Sequence, residues 1–72
     1  MVAPFGEGEG TVADFDDHGG YGTVTDVDGR EWPFHCTAIA DGSRTIDVGT
    51  SVRFRVIPGR PGRWEATDLQ PA

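Results

Sequence analysis

Seventy-two residues suffice for one domain and exclude a second, and a core of that size supplies on the order of 3 to 5 kcal/mol of net stability. Twelve acidic residues against six basic ones give a formal net charge of −6, and every basic residue is an arginine; the overall field repels polyanions, so a nucleic-acid partner has to be met where the arginines gather. The lone Cys36 excludes an internal disulfide and points to a reducing compartment, the cytoplasm, while residues 1–10 have neither the basic start nor the apolar run of a signal peptide and nothing approaches the roughly 20 apolar residues of a membrane span.

Taken in chain order, residues 1–9 read as a loose arm of one domain that spans residues 1–72. Residues 10–15 form a first strand anchored by Val12. Residues 23–27 and 30–36 flank Asp28-Gly29, a dipeptide that tolerates the positive φ of a tight turn, so they pair as a hairpin. On its second arm Trp32, Phe34 and Cys36 share one face, and Pro33, which has no N–H to give a ladder, marks an edge, a bulge or a break in pairing.

A turn of helix is expected around Ala38-Ile39-Ala40. Residues 51–57 are the clearest strand, with Val52, Phe54 and Val56 alternating with Arg53 and Arg55. Residues 58–62 form a loop, and 63–69 a last strand with Trp64, Ala66 and Leu69 as its apolar members. Five short strands with Gly-rich turns predict an all-β, antiparallel barrel, since closing the sheet removes exposed edges. Its core is Val12, Val24, Trp32, Phe34, Val52, Phe54 and Val56.

Catalytic and metal chemistry find little support. Asp14, Asp16, Asp17 and His18 lack the spacing of a calcium loop and read as a polar loop before a strand. His35 and Cys36 are adjacent in a strand and point to opposite faces, so they do not pair as base and nucleophile, and Cys36 reads as a small buried hydrophobe. The alternation of glycine and glutamate over residues 6–10 has no strand before it and no helix after it to cradle a phosphate. No enzyme, cofactor or metal is expected; the chain binds something.

The order of segments narrows what. Gly10-Thr11-Val12 with Phe15, Gly20-Tyr21-Gly22 with Val24, Phe34-His35 with Thr37-Ala38-Ile39, and Gly49 before Val52-Arg53-Phe54 together resemble the bacterial cold-shock proteins, over about residues 9–70. The resemblance implies a five-stranded Greek-key barrel of the oligonucleotide-binding fold, whose second and third strands bind single-stranded RNA or DNA. It also implies a platform of rings on which bases stack, with lysines beside it. Phe15, Tyr21 and His35 keep a ring at such positions, whereas Asp14, Thr23, Pro33, Cys36 and Ser43 stand where the pattern has aromatics, and Ala13 and Gly19 where it has lysine.

Stacking on one ring is worth about 1 to 3 kcal/mol, so the losses predict weak or narrowed binding by Phe15, Tyr21 and His35, with Arg53 and Arg55 meeting phosphate. Phe15 reads equally as core or as binding surface. The alternative is that the barrel survives as a protein-interaction module whose acidic first strand attracts a basic protein partner.

Overall fold

The computed structural model describes residues 6–58 and 64–72. Five strands follow one another: β1 (Glu7–Asp16), β2 (Tyr21–Asp26), β3 (Glu31–His35), β4 (Ser51–Pro58) and β5 (Trp64–Pro71), with a short 3-10 helix (Cys36–Ala38) after β3. The five strands pair antiparallel throughout and the sheet order is β3-β2-β1-β4-β5. The run β3-β2-β1-β4 is a Greek key, three hairpin-linked strands and a fourth returning beside the first.

β1 is the hinge of the sheet because it pairs twice. Its residues from Gly10 to Asp16 face β2, and those from Glu7 to Thr11 face β4. The expected arm is therefore corrected over its last part: Glu7 and Glu9 lie in the strand, opposite Arg55 and Arg53. A Glu-Gly alternation has low strand propensity and reads as an arm, but opposite charges across a ladder stabilise the pairing by roughly 0.2 to 1 kcal/mol. The first five residues of the expected arm lie outside the described residues.

The hairpin forms, with a turn one residue wider than Asp28-Gly29 alone predicts. The N–H of Gly29 donates to the carbonyl of Asp26 and the N–H of Asp26 to that of Arg30, leaving Val27, Asp28 and Gly29 as the loop. Only Gly29, at φ +86°, takes the left-handed conformation, the pattern of a three-residue hairpin closing on a glycine. Asp26 selects it: its carboxylate accepts from the backbone N–H of Asp28 at 2.8 Å and of Arg30 at 3.0 Å.

The core is Val12, Val24, Phe34, Cys36, Ile39, Val52, Phe54, Val56, Ala66 and Leu69, all buried. It contains every expected core residue except Trp32, which is half-buried and packs on its margin. On β5 the step from Ala66 to Leu69 breaks strict alternation, and a β-bulge accounts for it. Arg55 pairs with Thr67 and Arg53 with Gln70, so β5 carries one extra residue there, and Asp68 absorbs it at φ +56°.

The sheet is not closed by a ladder, where a closed or nearly closed barrel was expected. β3 and β5 are its edges and pack side by side without a ladder between them. The segment after β3 bridges the gap instead: Ile39 pairs with Leu69, and the N–H of Ala40 donates to the carbonyl of Leu69 at 2.9 Å. Pro33 has no N–H for a β3–β5 ladder, and the 3-10 helix turns the chain away at Cys36. Pro58 lies in β4 rather than in the expected loop, the rest of which is outside the described residues.

Candidate nucleic-acid interface

Register decides which side chains share the outer face of β1, β2 and β3. Opposite Tyr21, Thr23 and Thr25 on central β2 stand His35, Pro33 and Glu31 of β3. On its other flank stand Asp16, Asp14 and Thr11 of β1, with Ala13 bulged out of register. The expected platform face is thus present, but it carries two rings, three carboxylates and no arginine.

Tyr21 and His35 are the two rings. They are a cross-strand pair with centroids 4.8 Å apart at 67°, edge to face, and the tyrosine remains 55 % exposed. Tyr21 opens β2 directly after a tight turn in which the N–H of Gly20 donates to the carbonyl of Asp16 at 2.8 Å. His35 closes β3 and caps the 3-10 helix. The backbone N–H of Thr37 donates to its Nδ1 at 3.3 Å, and the Thr37 hydroxyl lies 2.9 Å from the same atom. Accepting at Nδ1 assigns the proton of the neutral ring to Nε2, which leaves a donor for a ligand.

Phe15 belongs to a different layer. It pairs with Gly22, on the inward side of the ladder, and its ring stacks on Phe34 at 5.9 Å and 10°. Half-buried, it packs against the core rather than standing beside Tyr21. Gly22 makes room for this: a Cβ there would lie 2.6 Å from both Phe34 Cζ and the Asp14 carbonyl oxygen. The Phe34 ring therefore fills the space under Gly22 and supports the floor beneath the ring pair.

Arg53 and Arg55 point outward from β4 as expected, but they are not brought to the rings. Arg53 is opposite Glu9 and Tyr21 opposite Asp16; seven residues of strand at roughly 3.3 Å each make about 23 Å along β1. Both arginines are flanked by acids and amides, with Glu7, Asp68 and Gln70 lining the same shallow depression. Among the described residues no group of three or more His, Cys, Asp or Glu is placed to hold a metal ion, and no helix is long and apolar enough to cross a membrane.

Sequence reasoning missed the Asp26–Trp32 contact at the other end of the hairpin. Trp32 Nε1–H donates to Asp26 Oδ2 at 2.8 Å. Partial burial pushes the Asp26 carboxyl up, but the hydrogen bonds from Trp32, Arg30 and Asp28 and the Arg30 charge outweigh it and hold the group below its ordinary 3.8. An aspartate two residues before Asp-Gly was the available signal, because such a side chain bonds backbone N–H groups ahead of it.

The family model of the 'Cold-shock' DNA-binding domain matches residues 8–72. No curated protein matches the chain. With the match running over nearly the whole sequence and taking in residues of all five strands, the chain belongs to the cold-shock domain family, whose members bind nucleic acid.

Proposed function

We propose that the chain binds single-stranded nucleic acid weakly, through Tyr21 and His35 on the outer face of β2 and β3, and that it does no chemistry on its ligand. The observation that carries this reading is the edge-to-face pair of the exposed Tyr21 and the half-buried His35, at positions where the family resemblance implies base stacking. Tyr21 offers a face to one base, and His35 offers Nε2–H to a base edge or phosphate.

Affinity is limited by what surrounds the pair. Thr23 and Pro33 present no ring, and Asp14, Asp16 and Glu31 place negative charge where phosphates would run. Stacking of about 1 to 3 kcal/mol per ring, against roughly 1.4 kcal/mol per tenfold, puts binding in the micromolar range or weaker. Arg53 and Arg55 contribute only to a strand long enough to follow β1 onto β4. Phe15 supports the floor through Phe34. The buried, unpaired Cys36 favours a reducing compartment such as the cytoplasm.

The test is a titration of dye-labelled single-stranded DNA and RNA decamers at low and moderate salt. Saturable binding in the micromolar range supports the reading. Absence of binding at millimolar protein overturns it.

A further inference from the structure

We propose that Asp14 reads the base held on Tyr21 and selects guanine, the base with two adjacent N–H donors. The inference rests on the reading of Tyr21 and His35 as the stacking pair. Asp14 is exposed on the outer face of β1, directly opposite Thr23, and Tyr21 lies two residues before Thr23 on β2. Asp14 and Tyr21 are therefore diagonal neighbours across the ladder, a separation of about 7 to 8 Å that a long flat group spans.

Three carboxylates border the ring pair, and only this one is free to serve a base on Tyr21. Asp16 is opposite Tyr21 but is drawn into the β1–β2 turn. Its Oδ1 accepts from the backbone N–H of His18 at 3.0 Å, and a Cβ at Gly19 would lie 3.3 Å from its Oδ2. Glu31 is opposite Thr25, four residues along β3 from His35 and so about 13 Å away. Among the described residues the Asp14 carboxylate has no hydrogen-bond or ion-pair partner.

Chemistry picks the base. A carboxylate only accepts, and it accepts best from two parallel donors at once. Guanine carries such a pair, N1–H beside its 2-amino group. Thymine and uracil carry one N–H between two carbonyl groups, which a carboxylate repels. Adenine and cytosine carry one amino group next to a ring nitrogen that is itself an acceptor. On the other flank of Tyr21 stands the Nε2–H of His35, a donor, and guanine's remaining edge offers N7 and O6. An acceptor on one side of the ring and a donor on the other match guanine and mismatch thymine. The charge that turns phosphate away thereby sorts the bases.

The experiment is an anisotropy titration of labelled DNA decamers, all thymidine except for one central nucleotide, which is guanosine, inosine, adenosine or thymidine. The guanosine decamer should bind about fivefold or more tighter than the all-thymidine one. Inosine, which lacks the 2-amino group, should lose most of that advantage. Asp14→Ala should melt like the parent, because the side chain is exposed, and should bind the guanosine and thymidine decamers within about twofold of each other. Asp17→Ala, at an exposed carboxylate of the neighbouring turn, should keep the parent's preference. Equal affinity of the parent for the guanosine and thymidine decamers overturns the inference and leaves the stacking reading intact. Inosine binding as tightly as guanosine overturns the paired-donor contact, and a guanosine preference that survives in Asp14→Ala overturns the assignment to Asp14. No binding of any decamer at millimolar protein overturns the stacking reading and this inference with it.

Discussion

Trp32 and Asp26 close the β2–β3 turn from opposite sides of the hairpin, the indole Nε1–H donating to the carboxylate at 2.8 Å. Two further backbone donors converge on the same side chain, so one aspartate satisfies three N–H groups. Hydrogen bonds to a charged acceptor are worth about 1.5 to 3 kcal/mol where protected and less where solvent competes. Asp26→Ala should therefore cost about 1 to 3 kcal/mol at pH 7, read as a lower urea midpoint.

The pH dependence of that loss has a definite sign. The folded Asp26 carboxyl titrates below its ordinary 3.8, so its contribution is complete above that value and disappears as pH falls through the lower, folded one. Urea midpoints of the parent and Asp26→Ala should differ most above about pH 5 and draw together as pH falls below the ordinary 3.8 and through the lower, folded value. A gap that persists unchanged into acid would show that the carboxylate charge is not what holds the turn.

Gly22 is a tight point of the platform floor. An added methyl would sit 2.6 Å from the Asp14 carbonyl oxygen and 2.6 Å from Phe34 Cζ, and the first of these is backbone that cannot swing away. Overpacking of this kind costs about 1 to 3 kcal/mol, a large share of the roughly 3 to 5 kcal/mol that a core this small supplies. Gly22→Ala should melt well below the parent, by roughly 4 to 8 °C per kcal/mol lost, and circular dichroism melting checks it.

The strands that alternate cleanly were legible from sequence. Val52, Phe54 and Val56 gave β4 its inward face, and Asp28-Gly29 marked the hairpin. What stayed hidden depended on residues far apart in the chain. Glu7 and Glu9 become strand only because Arg55 and Arg53 arrive opposite them, and Leu69 turns inward only because Asp68 absorbs a bulge. The site followed the same rule. Tyr21 and His35 became candidates through the family resemblance, but the inward position of Phe15 and the distance of Arg53 from the rings needed the register of β1 against two partners.

If the ring pair carries binding, Tyr21→Ala should weaken a single-stranded decamer about tenfold, within the 1 to 3 kcal/mol of one stacked base. His35→Ala removes a ring and also the cap of the 3-10 helix, so it should lower thermal stability as well as affinity. Tyr21→Phe should keep the affinity within about threefold, because the stacking face survives. Fluorescence anisotropy on all three variants checks the pattern, and an unaffected Tyr21→Ala removes Tyr21 from the site.

The converse change restores what the face lacks. Asp14 and Thr23 are directly opposite each other on the outer face, next to the Tyr21 row, and Asp14 is exposed, so larger side chains there stand in solvent rather than in the core. Asp14→Trp with Thr23→Phe adds two rings and removes one carboxylate from the phosphate path. At about 1 to 3 kcal/mol for each of two stacked bases, affinity for a single-stranded decamer should rise by about one and a half to four orders of magnitude. Binding should also become more salt-sensitive in the ordinary sense, because a carboxylate that repels phosphate has been removed. No gain in a variant that melts like the parent would mean that the outer face of β1 and β2 is not the path of the strand, whatever the family does there.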